Sequence, residues 1–117
     1  MEKSNQASGY VLLGTLIALP QTKIKIVFSN FADMTTTTAV WLGEKKISQF
    51  DGEGEAKFIF DGDNATLDWI ISPCQPGKWQ YQADIHVNDQ LVWRRLTPNE
   101  PQEPPYCRLI IAVCKDH

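Results

Sequence analysis

The stretch Phe50–Trp69, FDGEGEAKFIFDGDNATLDW, sets two acidic, glycine-punctuated runs on either side of a short apolar segment. Between them Ala56, Phe58 and Phe60 alternate with Lys57 and Ile59, and beyond the second run Ala65, Leu67 and Trp69 alternate with Thr66 and Asp68. A period of two is the signature of strands with one face on a core. The glycines then supply positive φ and the Asp and Asn side chains satisfy local backbone donors, so both runs read as turns. A calcium loop of the EF-hand type is the alternative. Counted from Asp61 it has Asp63 at the third position, but Ala65, Thr66 and Ser72 at the fifth, sixth and twelfth, where a ligand, a glycine and a closing glutamate belong. Nor can the two runs share an ion, because the strand between them advances roughly 20 Å from Glu55 to Asp61. A weak divalent site at Asp61, Asp63 and Asn64 would need ligands from another loop. No metal and no cofactor is expected.

If Asp61–Asn64 is a hairpin loop, Phe60 pairs with Ala65, Phe58 with Leu67 and Ala56 with Trp69 on one apolar face, and Lys57 opposes Asp68 on the other. A second hairpin follows at Asn88–Gln90. A three-residue loop there sets Val87 against Leu91, Ile85 against Trp93 and Asp84 against Arg94, whereas a two-residue loop would scramble the faces.

Outward from these hairpins the same alternation recurs. Tyr10–Leu19 reads as a buried strand ended by Pro20, and Ile24, Ile26 and Phe28 share a face opposite Lys23 and Lys25, as in a solvated or edge strand. Two short strands flank a turn at Gly43–Lys45. Tyr106–Val113 is largely apolar, hence central. Thr97–Pro105, TPNEPQEPP, is too proline-rich for a ladder and is expected to run as an extended crossing between sheets. Helical periodicity is hard to find. The fold class is therefore all-β: a single-domain antiparallel β-sandwich of seven or eight strands over residues 10–117, preceded by a flexible N-terminal segment, residues 1–9.

The run Pro76–Trp93, PGKWQYQADIHVNDQLVW, resembles the hairpins of many immunoglobulin-like sandwiches, although paired cysteines flanking a tryptophan are missing. The resemblance implies an immunoglobulin-like or jelly-roll-like sandwich and carries no function with it.

At 117 residues, 43% hydrophobic and 21% charged, the chain suits one soluble domain. Its net charge of −3, with scattered Lys and Arg, shows no basic stripe for nucleic acid. No apolar stretch reaches the twenty or so residues of a transmembrane helix. Tyr10–Pro20 has the length of a signal-peptide core but no basic flank or cleavage motif, so a cytoplasmic protein is expected, with secretion as the minority reading. The cysteines are Cys74, Cys107 and Cys114. On one strand Cys107 and Cys114 would lie roughly 23 Å apart and cannot bridge. Cys74 could pair with either.

Catalytic signals are thin. The histidines are His86 in a strand and His117 at the chain end, and no nucleophile elbow, phosphate loop or zinc helix is present. The expectation is a binding or assembly module without catalytic residues, acting on a protein partner or on itself through an edge strand or through the rim aromatics Trp41 and Trp79. A glycan is the alternative ligand, with Trp79 and Tyr81 stacking on a sugar ring beside a polar strip of Gln80, Gln82, Asp84, His86 and Arg94. A small hydrolase with dispersed carboxylates is the third reading. Trp69 and Trp93 fall on apolar faces and are assigned to the core.

Overall fold

The computed structural model of the chain describes residues 10–30, 36–73, 81–96 and 106–114. The strands are β1 (Tyr10–Ala18), β2 (Thr22–Asn30), β3 (Thr36–Leu42), β4 (Lys45–Asp51), β5 (Gly54–Phe60), β6 (Ala65–Pro73), β7 (Tyr81–Val87), β8 (Gln90–Leu96) and β9 (Tyr106–Val113). They form two packed sheets, one five-stranded in the order β1-β9-β6-β3-β4 and one four-stranded in the order β5-β2-β7-β8. The all-β sandwich expected from sequence is the fold, with nine strands among the described residues rather than seven or eight. All described pairings are antiparallel except β1 with β9, which is parallel. As its apolar sequence predicts, β9 is interior to its sheet.

The Asp61–Asn64 connection is an arch, not a hairpin. β5 pairs with β2 in one sheet and β6 pairs with β3 and β9 in the other, so Ala56 and Phe60 face Leu67, Trp69 and Ile71 across the core instead of lying beside them. Alternation is identical in the two arrangements, since it fixes which side chains point inward and not which sheet a strand joins. The Lys57–Asp68 pairing does not occur. Lys57 stands opposite Lys25, while Asp68 stands between Trp41 and Arg108. A solvated Lys–Asp pair is worth at most about 1 kcal/mol, too little to choose the sheet. β2 is likewise interior, and its lysines mark a solvated face rather than an edge.

The β7–β8 hairpin corrects the loop but keeps the charge pair. Its loop has two residues, Asn88 and Asp89, at φ 51° and 70°. Asn and Asp tolerate this left-handed region, which a tight hairpin requires at both positions. Val87 therefore opposes Gln90 and His86 opposes Leu91, and a bulge at Val92 then restores Ile85 to Trp93 and Asp84 to Arg94.

Residues from both sheets meet in a core that includes Ile24, Ile26, Val40, Leu67, Ile85 and Ile111, all fully buried. At its centre Trp69 is edge-on to Phe28, with centroids 5.7 Å apart, and donates its indole N–H to the Tyr81 hydroxyl at 3.1 Å. Phe28 also contacts Phe50 at 5.8 Å and Tyr81 at 6.3 Å, so four aromatic rings join β4 and β6 of one sheet to β2 and β7 of the other. Burying rings of this size contributes roughly 1.5–3 kcal/mol each, and their tilted geometry somewhat more.

Candidate functional site

The sandwich has two long sides, each made by one edge strand from each sheet. On one side β4 and β5 are joined through the tight turn after Asp51, where Gly52 adopts φ 73° and donates its N–H to the Thr36 carbonyl at 2.7 Å. Ser48 Oγ donates to the Glu55 carbonyl at 3.1 Å, and Thr37 Oγ1 to Asp51 Oδ1 at 2.9 Å. This side is closed. Its strands carry Lys45, Lys46, Asp51, Glu55 and Lys57, all exposed.

The other side is made by β1 and β8. Leu12 and Ile17, at 56% and 57% exposure, lie on the five-stranded sheet's outer face with Leu19, at 57%, in the turn that follows, and Leu91, Val92 and Leu96 of β8 are 43%, 46% and 58% exposed. Of the large apolar side chains exposed among the described residues, only Ile59 lies elsewhere. Between the two strands a cleft of about 140 Å³ is walled by Leu13 and Leu16 of β1 and Val92 and Trp93 of β8, over Ile85 and Leu109. Trp93 is thus a half-buried wall of this cleft, packed against the core. Among the described residues each strand pairs on one side only, β1 with β9 and β8 with β7.

The four edge strands differ in how they are protected. Edges are usually blunted by charges, bulges or inward-pointing ionic groups. β8 has Arg94, the bulge at Val92, and Arg95 at an inward register position opposite Ala83. β4 and β5 carry the charges named above. β1, YVLLGTLIA, carries none over nine residues, and its one irregularity is the bulge before Gly14, at φ 139°.

The residues expected to form a binding surface are dispersed. Trp41 lies on the outer face of the five-stranded sheet, half-buried, across from Asp68 and Lys46. It borders a groove of about 220 Å³ with Thr37, Ala39, Lys46, Gln49, Ile70 and Ser72. Gln82, Asp84, His86 and Arg94 share the outer face of the other sheet. Trp41 and this polar strip therefore face opposite ways. Tyr81, expected at the rim, is 3% exposed and engaged with Trp69 and with the Cys107 sulfur, 3.5 Å from its hydroxyl. Its ring packs inward against Phe28 and its hydroxyl accepts from Trp69, which removes it from solvent, so it cannot stack on a sugar. Trp79, Gln80, His117, the Thr97–Pro105 crossing and Cys74 with its proposed pairing lie outside the described residues.

Within the polar strip the groups satisfy one another. Arg94 donates to both Asp84 oxygens at 2.9 and 3.1 Å, and Gln82 donates to Asp84 Oδ2 at 2.9 Å. The Arg94 hydrogen bonds hold the Asp84 carboxyl below its ordinary pKa, against the opposing effect of partial burial. At the Asp61–Asn64 arch, Asp61 Oδ1 accepts the Asp63 N–H at 2.9 Å, as turn chemistry requires, whereas Asn64 Oδ1 accepts the distant Val113 N–H at 3.0 Å and ties the arch to β9. Among the described residues no group of three or more His, Cys, Asp or Glu side chains is placed to hold a metal ion. No described helix could cross a membrane.

Sequence reasoning missed one ionic cluster. Asp68 is fully buried on the outer face of the five-stranded sheet, accepting from Arg108 at 2.9 and 3.1 Å and from the Tyr106 hydroxyl at 3.0 Å. The hydrogen bonds to Asp68 raise the Arg108 pKa, and burial, followed by the Asp68 charge, raises that of the Tyr106 phenol, which stays a donor. The signal was available: β6 and β9 carry one charge each, of opposite sign.

The fold and this geometry define an all-β sandwich with one closed, charged side and one open, apolar side. No protein-family model, no curated protein and no solved structure matches the chain.

Proposed function

We propose that this chain is a non-enzymatic binding module that engages a protein partner along its β1/β8 side. The observation that carries the reading is the exposure of Leu12 and Ile17 on β1 and of Leu91, Val92 and Leu96 on β8, two strands that pair on one side only among the described residues. Exposed apolar side chains of this size mark interaction sites, and an edge that pairs on one side only offers main-chain groups for strand addition. Neither feature performs chemistry. The test is a photoreactive residue placed at Leu12 or Leu91 on one side, and at Lys45 or Lys57 on the other, in the extract of cells that make the protein. Defined protein adducts should form from the β1/β8 positions and not from the β4/β5 positions. Adducts from neither side, or equally from both, would sink the reading.

A glycan is the second reading, and the groove beside Trp41 favours it, because an indole flanked by the hydroxyls of Thr37 and Ser72, the Gln49 amide and the Lys46 ammonium suits a sugar ring. Quenching or blue-shift of tryptophan fluorescence by a glycan, abolished by Trp41→Ala, would support it. No response across a glycan panel would remove it.

A further inference from the structure

Resting on the reading that the β1/β8 side is where this chain binds, we propose that the partner at the β1 edge is a second copy of the chain. The two β1 strands run antiparallel about a two-fold axis between Gly14 and Thr15. This extends the five-stranded sheet of each copy into its neighbour.

The argument starts from the bulge. β1 pairs with β9 in one register up to Leu12 and shifts by one residue at Gly14. Before the shift Val11 and Leu13 pack inward and Leu12 points out; after it Leu16 and Ala18 pack inward while Ile17 is exposed. The phase of alternation is thus reversed between the two halves of the strand. Two such strands related by a two-fold axis can be matched face to face through the bulge, with both halves paired, only when a residue before it meets one after it at an odd positional sum. With the axis between Gly14 and Thr15, Leu12 meets Ile17 of the second copy, Leu13 meets Leu16, and Val11 meets Ala18. Inward groups stay inward, and the two exposed apolar side chains of each copy cover those of the other. Only the central step is out of phase. There Gly14 has no side chain to misplace, and even an added Cβ would meet nothing within 4 Å.

Charge points the same way. An isologous contact sets a surface against itself, so any charge near the axis meets its own like. The chain has a net charge of −3, yet none of it lies on β1. Among the edge strands this one is neutral throughout, and its outward row of Leu12 and Ile17 is self-complementary.

The test is analytical ultracentrifugation of the full chain over a wide concentration range, with Ile17→Lys and the double variant Leu12→Lys/Ile17→Glu. Both positions are more than half exposed, so the fold should persist, which a melting curve verifies. The wild type should form dimers, and Ile17→Lys should weaken them about tenfold or more. The double variant should recover association, because its lysine and glutamate meet across the axis but stand too far apart along one strand to pair within a copy. A wild type that stays monomeric overturns the proposal, as does a dimer indifferent to Ile17→Lys or a double variant weaker than the single. In the monomeric case, photo-adducts from Leu12 to a different protein would leave the binding-module reading standing; their absence would remove both.

Discussion

The two long sides of this sandwich are built from similar strands and end in opposite surfaces. At the β4/β5 side the chain itself crosses between the sheets, Ser48 and Gly52 tie the crossing down, and Phe50 packs on Phe28 behind it. Charged side chains cover what remains. At the β1/β8 side the two edge strands are far apart in sequence, a cleft lies between them, and leucine, isoleucine and valine are exposed along them. The difference teaches that a covalent crossing lets one side be sealed with local hydrogen bonds. A side without one must either carry protective charge or find a partner, and β8 does the first while β1 does not.

Substitutions can break this contrast, and the largest effect is expected at the closed side. Phe28→Ala removes the ring that contacts Phe50, Trp69 and Tyr81 and should cost roughly 3–5 kcal/mol in urea unfolding. A loss below about 1 kcal/mol would show that the aromatic group does not couple the sheets. Next comes Gly54→Ala. Its Cβ would meet the Phe50 ring at 2.5–2.7 Å, so the ring must move off Phe28, at a cost of roughly 1–3 kcal/mol.

Gly14→Ala, at the open side, should cost less and for another reason. The site has room, and the penalty comes from φ 139° alone, on the order of 1 kcal/mol. A double variant of the two glycines should be additive, since the sites share no contact. The smallest effect belongs to Asp84. Its folded-state pKa is depressed, chiefly by the Arg94 hydrogen bonds, so its stabilisation is fully present above the unfolded value of about 3.9 and is lost as pH falls through the lower folded value. Asp84→Asn should therefore flatten the acid limb of stability below about pH 4. An unchanged limb would mean that the pair contributes nothing.

How much of this was legible in the sequence depends on what each pattern encodes. Inward and outward faces were readable almost everywhere: Ile24, Ile26 and Phe28, or Ala56 and Phe60, point to the core as alternation requires. Sheet membership was not, because Phe60 and Leu67 look the same whether β5 and β6 lie side by side or face each other. The Asp84–Arg94 register was found despite a wrong loop, since the bulge at Val92 cancels the missing loop residue. Asp68 was given the wrong cation. Lys57 was near in sequence, whereas Arg108, about forty residues on, is the only charge on the neighbouring strand and the better partner for a desolvated carboxylate. For the candidate site, Trp41 and association through some edge strand were expected, but Tyr10–Leu19 read as a buried strand, whereas β1 is an edge with Leu12 and Ile17 exposed. The β1/β8 side itself was not, because Leu12 and Ile17 reach the same flank as Leu91 and Leu96 only when two strands distant in sequence both end their sheets there.

The most direct test of that surface is amide hydrogen exchange along the purified chain at low and high protein concentration. Slowing confined to Val11–Ala18, with Lys45–Asp51 unchanged, is the predicted result. Exchange in β1 that ignores concentration, or slowing shared equally by β4, would contradict it.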